Sequence, residues 1–283
     1  GLHARGTMLK TLPKPQQRSA LRMALGKTWF TAKRRMQWHL PGKRYATSRS
    51  STPLPHQHAS HRTPLLRPLK GVDMWLQHNK VASLKVAASC IDGLLLRPGE
   101  TFSFWRLVGK PTARRGFRTG LVLRNGSISQ GMGGGLCQMT NLIYWMALHT
   151  ELSITERWRH GFDVFPDEGR SQPFASGATC SYNYIDLQIS NRTANTYQLR
   201  VWVEGDYLNG EWRAEAHPRH TYEIVERDHA IRTEWWGGYS RHNALHRIAR
   251  DHGTGAECGE EFIAENHAIM MYAPLLKKLE TSP

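Results

Sequence analysis

The chain has 283 residues, 40% hydrophobic and 22% charged, with 10 tryptophans and a formal charge of +15. That length can bury a core without disulfides, and the shortest gap among Cys90, Cys137, Cys180 and Cys258 is 43 residues, which excludes a zinc ribbon and a disulfide framework. No run reaches the roughly 18 apolar residues of a membrane span, and no apolar segment with a small-residue cleavage site opens the chain, so a cytoplasmic location, peripheral at the inner membrane face, is expected.

The charge is segregated. Residues 1–70 carry 15 Lys and Arg and no acid, and the first acid is Asp73. The rest is neutral, with 38 − 15 = 23 basic residues against 23 acidic ones. A basic arm on a neutral body predicts a polyanionic partner. Residues 1–64 are read as a basic extension and linker, 65–272 as the folded domain and 273–283 as a tail; Gly1–Thr7 is set aside from the fold.

Residues 19–39 predict a helix: Leu21, Leu25, Trp29, Ala32 and Met36 share one face among Arg22, Lys27, Lys33, Arg34 and Arg35, with Ser19 as N-cap and Pro41-Gly42 as stop. This basic amphipathic pattern suits an anionic membrane surface or packing on the body. Residues 42–64, rich in Ser, Pro, His and Arg, predict a linker. Asn79–Ile91 predicts a helix. Leu94–Leu96 and Thr101–Trp105 flank Arg97-Pro98-Gly99-Glu100, a type II turn signal read as a hairpin. Leu121–Leu123 and Ser127–Ser129 form a second pair around Asn125-Gly126.

A glycine loop, Gly131–Gly135, then leads into a helix from Leu136 to about His149, with Leu142, Ile143, Met146 and Ala147 as its buried stripe. Ser153–Trp158, Ala178–Tyr184, Asp186–Ser190, Tyr197–Glu204 and 221–227 predict short strands, and Glu260–Tyr272 a last helix or closing segment. The class predicted is α+β: antiparallel sheet or partial barrel of short strands, a buried helix carrying a cysteine at its N-terminus, and a basic helical extension.

That cysteine is Cys137. A helix N-terminus stabilises a thiolate through unpaired N–H groups and the positive end of the dipole. Gly133, Gly134 and Gly135 let the backbone approach a substrate, and their N–H groups, with the Gln138 amide, could hold an oxyanion. The base predicted is His160, at the end of a strand that can return to Cys137; His149 is about 18 Å away along the same helix. Asp186, between Ile185 and Leu187, is the predicted orienter, with Asp163 and Asp167 as alternatives. Asn141, Tyr182 and Tyr184 are expected to contact substrate. No cofactor or metal is predicted, since no phosphate-loop or metal-ligand spacing accompanies the glycines.

These residues resemble the VanW family. The matching stretches are GVDMWLQHNKVASLKVA (71–87), RPGETFSFWRLVGKPT (97–112), GGGLCQMTNLIYWMALHT (133–150), ERWRHGFDVFPDEGR (156–170), SGATCSYNYIDLQISN (176–191) and EEFIAENHAIMMY (260–272). The resemblance implies an accessory protein of vancomycin-resistance clusters, or a wall protein whose related domains are thought to act as L,D-transpeptidases through the cysteine of the GGG-x-CQ motif. That cysteine corresponds to Cys137, and the histidine of the next segment to His160. This sequence has SGAT where the wall-enzyme members carry a GRDAT-like segment, with Gly177 at the position of the Asp.

Three readings follow. The first is a cysteine acyl-transfer enzyme acting on peptidoglycan or a precursor peptide. The second is a non-catalytic module binding wall peptide or precursor lipid through Trp105, Trp145, Tyr182 and Tyr184, or a resistance accessory without activity. The third, nucleic-acid binding by residues 1–70, lacks a reader motif.

Overall fold

The computed structural model describes residues 11–14, 19–67, 72–124, 126–164 and 171–272. Asn125, Asp167, Gly1–Thr7 and the tail from 273 lie outside them. Helix α1 (Ala20–His39) starts on Ser19, whose hydroxyl accepts from the Arg22 N–H at 3.4 Å. Strands β1 (Arg44–Tyr45) and β2 (His56–Pro64) follow, then helix α2 (Met74–Ile91), strands β3 (Leu94–Leu96) and β4 (Glu100–Ser103), and the short helix α3 (Phe104–Val108). The hairpin β5 (Thr119–Arg124) and β6 (Ser127–Met132) leads to helix α4 (Cys137–Ala147). The remainder is all strand: β7 (Ser153–Glu156), β8 (Phe162–Asp163), β9 (Gln188–Ser190), β10 (Tyr197–Glu204), β11 (Tyr207–Ala214), β12 (His220–Thr233), β13 (Tyr239–Asp251) and β14 (Glu257–Met270).

The fold is α+β. Three four-stranded sheets have the orders β1-β4-β9-β7, β2-β11-β10-β3 and β12-β13-β14-β8, beside the two-stranded β5-β6. Most pairings are antiparallel, with β1–β4 and β8–β14 parallel. The core gathers between the helices and the first two sheets. Leu84, Ala87 and Ile91 of α2 and Met139, Leu142 and Ile143 of α4 are buried against Phe102, Tyr197, Leu199 and Trp212. Close packing of α4 on β11 requires Gly210, because a Cβ there would lie 2.6 Å from the Met146 methyl and 3.1 Å from Leu142.

Three expectations are corrected. The linker over 42–64 is ordered: β2 pairs along its length with β11, from His56↔Ala214 to Tyr207↔Pro64. An edge strand holds its place by backbone hydrogen bonds, so polar side chains conceal it from a hydrophobicity reading. The turn at 97–100 is present, with Gly99 at φ +79° and Glu100 N–H donating to Arg97 O at 3.0 Å, but its flanks do not form a hairpin. β3 pairs with β10 and β4 with β1 and β9. Asn191 stands between them, its Nδ2 donating to Leu96 O at 2.8 Å and its N–H to Glu100 O at 2.9 Å. The segment Glu260–Tyr272, read as a helix or closing segment, belongs mainly to β14, which pairs with β13 from Tyr239↔Met270 to Arg250↔Glu257. Its Glu and Ala content favours helix locally, and strand pairing overrides that preference.

Candidate active site

Cys137 is the first residue of α4, after Leu136 as N-cap. The residue is half-buried and its sulfur faces Cys180: the two Sγ atoms are 3.8 Å apart, and Cys137 Sγ lies 3.6 Å from the Cys180 carbonyl. His160 is near enough to favour the charged form of Cys137. The hydrogen bond from the Cys180 thiol is the largest influence on Cys137; with the influence of His160 it outweighs desolvation and lowers the Cys137 thiol well below its ordinary range. Burial and the facing sulfur push Cys180 well above that range. The pair is thereby polarised: its surroundings favour negative charge on Cys137 and the proton on Cys180.

Several segments converge to build this centre. Thr179 N–H donates to Trp158 O at 2.8 Å, so the strand carrying Cys180 runs antiparallel to the segment ending in His160. Thr140, one turn into α4, donates its hydroxyl to Ala178 O at 2.7 Å. Asn141 Oδ1 accepts from the Ala178 N–H at 2.7 Å. Gly177 suits this packing, since a Cβ there would lie 2.5 Å from Asn141 Oδ1. The half-buried Arg157 grips the same backbone: its Nε and Nη2 donate to Gly177 O at 2.9 and 2.7 Å, and its Nη1 reaches Asn266 Oδ1 of β14 at 2.8 Å. The C-terminal sheet is thereby tied to the site.

The glycine loop serves packing. Gly133 and Gly135 have φ of +71° and +90°, and Gly134 lies against the Gly120 backbone, where a Cβ would be 2.2 Å from the Gly120 carbonyl carbon. Gly133 N–H donates to Arg118 O at 2.9 Å and Gly134 N–H to Gly131 O at 3.1 Å, so neither is open to an oxyanion. The amides of Gly135, Leu136 and Cys137 have no backbone acceptor among the described residues. Gly135 is covered by the methylenes of Lys80, whose ammonium burial, with the Arg67 charge, lowers to about 8.

Gln138 is corrected from oxyanion donor to strut. Its Nε2 donates to Thr63 Oγ1 at 2.8 Å and Pro64 O at 2.9 Å, which occupies both amide hydrogens on the end of β2. Gln138→Ala is accordingly expected to lower stability by about 1 kcal/mol, read by thermal denaturation, while leaving the pH profile of Cys137 alkylation unchanged.

Asp186 is corrected in its contacts. Its carboxylate accepts from Ser103 Oγ at 2.6 Å, Trp105 N–H at 3.0 Å and Gln188 Nε2 at 3.1 Å, so it anchors the start of α3 rather than His160. Burial raises it to about 6 against those hydrogen bonds. Asp163 is buried, accepting from Tyr272 Oη at 2.8 Å and pairing with Arg241 at 3.5 Å. Tyr182 packs edge-on against Trp105, ring centroids 5.5 Å apart. Tyr184 lies under α1, its ring 5.5 Å from that of Phe30 and its carbonyl accepting from Arg34 at 3.0 Å. Cys180 is the residue that sequence reasoning missed; its place in the SGATC segment, after the Cys137 helix, was the available signal. Among the described residues no group of three or more His, Cys, Asp or Glu could hold a metal ion.

Residues 79–213 match the family described as VanW like protein. They are a VanW-like domain. The chain is 41% identical over 155 residues to the vancomycin B-type resistance protein VanW of Enterococcus faecalis (strain ATCC 700802 / V583), covering 55% of this chain and 56% of that protein. It is 30% identical over 120 residues to the uncharacterized protein YoaR of Bacillus subtilis (strain 168), covering 42% of this chain and 38% of that protein. The matches thus span less than two thirds of either relative. No solved structure matches. Within the VanW-like domain lie Cys137, His160, Cys180 and both glycine contacts; the β12–β13–β14 sheet follows it.

Proposed function

We propose that the VanW-like domain carries a cysteine acyl-transfer activity on peptidoglycan or a precursor peptide, serving a role related to vancomycin resistance as in the enterococcal relative. The observation supporting this is the Cys137 sulfur at the first position of α4, 3.8 Å from the Cys180 sulfur, in surroundings that favour its charged form. The thiolate attacks a peptide carbonyl, forming a C–S bond. As the amide C–N bond breaks, His160 gives its proton to the departing amine. An acceptor amine then attacks the thioester, its proton passes to His160, a C–N bond forms and Cys137 leaves as thiolate. The free amides of Leu136 and Cys137 at the helix start are the donors for the oxyanion.

The test is the pH profile of Cys137 alkylation by iodoacetamide, followed by peptide-resolved mass spectrometry. A depressed thiol gains thiolate at neutral pH and loses intrinsic nucleophilicity, so rates at pH 7 discriminate poorly. The acid limb separates the cases. A free thiol loses about two orders of magnitude in rate between pH 8 and pH 6, whereas Cys137 is expected to lose clearly less, because its lowered pKa keeps it ionised to lower pH. Cys180→Ala and His160→Ala should each move that limb towards higher pH. A wild-type profile like that of a free thiol would sink the proposal.

A specific observation favours the second reading. Gln138 and the Gly133 and Gly134 amides are all used internally, which suits a module that binds wall peptide beside Tyr182 without turning it over.

A further inference from the structure

Helix α1 contains Arg22, Lys27, Lys33, Arg34 and Arg35 and no acid. It rests on the body by a mixed side, on which Trp38 packs against the core and Phe30 meets the Tyr184 ring. Arg34 forms a two-pronged ion pair with Glu156 at 2.8 and 2.5 Å, and Asn183 Nδ2 donates to Thr31 O at 3.2 Å. Gly26, Gln37 and Trp38 are half-buried on this side. The apolar stripe points the other way: Leu21 is 71% exposed, Leu25 63%, Trp29 66% and Met36 59%. At about 100° per residue the stripe centres roughly opposite the docked side. Arg22 and Lys33 flank one border of it and Arg35 the other.

A helix that docks by one side and leaves Leu21, Leu25, Trp29 and Met36 in water has that apolar stripe unfilled. Phosphates of a nucleic acid would satisfy the cations and offer nothing to Leu21, Leu25 and Met36. A protein groove would take the apolar stripe and give no reason for cations on both borders without an acid. Anionic headgroups over hydrocarbon satisfy both, with Trp29 at the boundary and the Lys33 and Arg35 stems reaching outward. We infer that α1 docks this protein on an anionic membrane surface through Leu21, Leu25, Trp29 and Met36. Because the docked side of α1 holds Asn183 and Tyr184, in the loop that follows Cys180, the Cys137 centre would work beside the lipid surface. The docking stands whether or not Cys137 is a nucleophile.

The experiment is vesicle co-sedimentation of the full chain at about 0.1 M salt, where surface charge is felt over about 10 Å. Vesicles of phosphatidylcholine with 30% phosphatidylglycerol should bind the protein at least about tenfold more strongly than phosphatidylcholine alone. The double variant Leu25→Ser/Trp29→Ser should lose at least about tenfold in partition to the anionic vesicles, with unchanged melting temperature because both side chains are already solvent-exposed. Arg22→Glu/Lys33→Glu should lose the preference for anionic lipid. Equal binding by the wild type and Leu25→Ser/Trp29→Ser would overturn the inference. So would failure to bind either vesicle, tighter retention on duplex DNA than on anionic vesicles, or a wild-type dimer that the double variant makes monomeric. Cys137→Ala should bind vesicles as the wild type does, which separates this result from the fate of the acyl-transfer proposal.

Discussion

Cys137→Ala is expected to reduce turnover of a wall stem peptide by on the order of a thousandfold or more, the loss seen when a nucleophile that acts as a unit with its base is removed. Covalent capture should vanish with it, since no other thiol shares its environment. Cys258 is exposed with its Sγ 3.6 Å from a carbonyl, and Cys90 lies 3.7 Å from an arginine. Burial and the facing Cys137 sulfur raise the Cys180 thiol well above its ordinary range, which disfavours its thiolate. Acyl-adduct mass spectrometry beside product release checks both expectations. Cys180→Ala should cost less, about ten- to a hundredfold, because it removes one hydrogen bond to a charged sulfur. A Cys137→Ala protein that turns over substrate at the wild-type rate would place the chemistry elsewhere, and a protein that never turns over stem peptide would leave the binding module as the function.

Gly134→Ala is expected to destabilise the fold by about 3 kcal/mol or more. The added methyl would sit 2.2 Å from the Gly120 carbonyl carbon and 2.7 Å from the Leu121 nitrogen. Both are backbone atoms, so no rotamer change relieves the overlap, and α4 must move off β5. For a chain of this size that corresponds to a fall of roughly 6–12 °C in melting temperature. Gly161→Ala is the control. It lies next to His160, and a Cβ there meets nothing within 4 Å, so a change of no more than about 0.5 kcal/mol is expected. Thermal melts of the two variants distinguish a glycine needed for packing from one that is not. If Gly134→Ala melted with Gly161→Ala, the contact with Gly120 would not hold α4 in place.

How much was legible in the residues varies by element, and the reason is physical. Helix α1, from its Ser19 cap, and α4, from its Leu142, Ile143, Met146 and Ala147 stripe, were readable because capping and helical periodicity are local. Cys137 at the head of α4 was readable for the same reason. β2 was not, because its nine residues carry almost no aliphatic side chain and are held by hydrogen bonds to β11. The Arg97–Glu100 turn was readable, and the destinations of its strands were not, because Asn191 of a distant segment parts them.

The same division runs through the site. Short motifs and charge counted along the chain were enough to single out Cys137 and His160 as candidates, the basic α1 and the VanW resemblance. Only the tertiary structure decided what surrounds them. It brought Cys180, 43 residues downstream, to 3.8 Å from Cys137, closed Gln138 onto β2, gave Asp186 to Ser103 and Trp105, and turned the apolar stripe of α1 outward. Hydrogen-bond partners of buried polar groups are fixed by which strands meet, and that is a property of the whole fold.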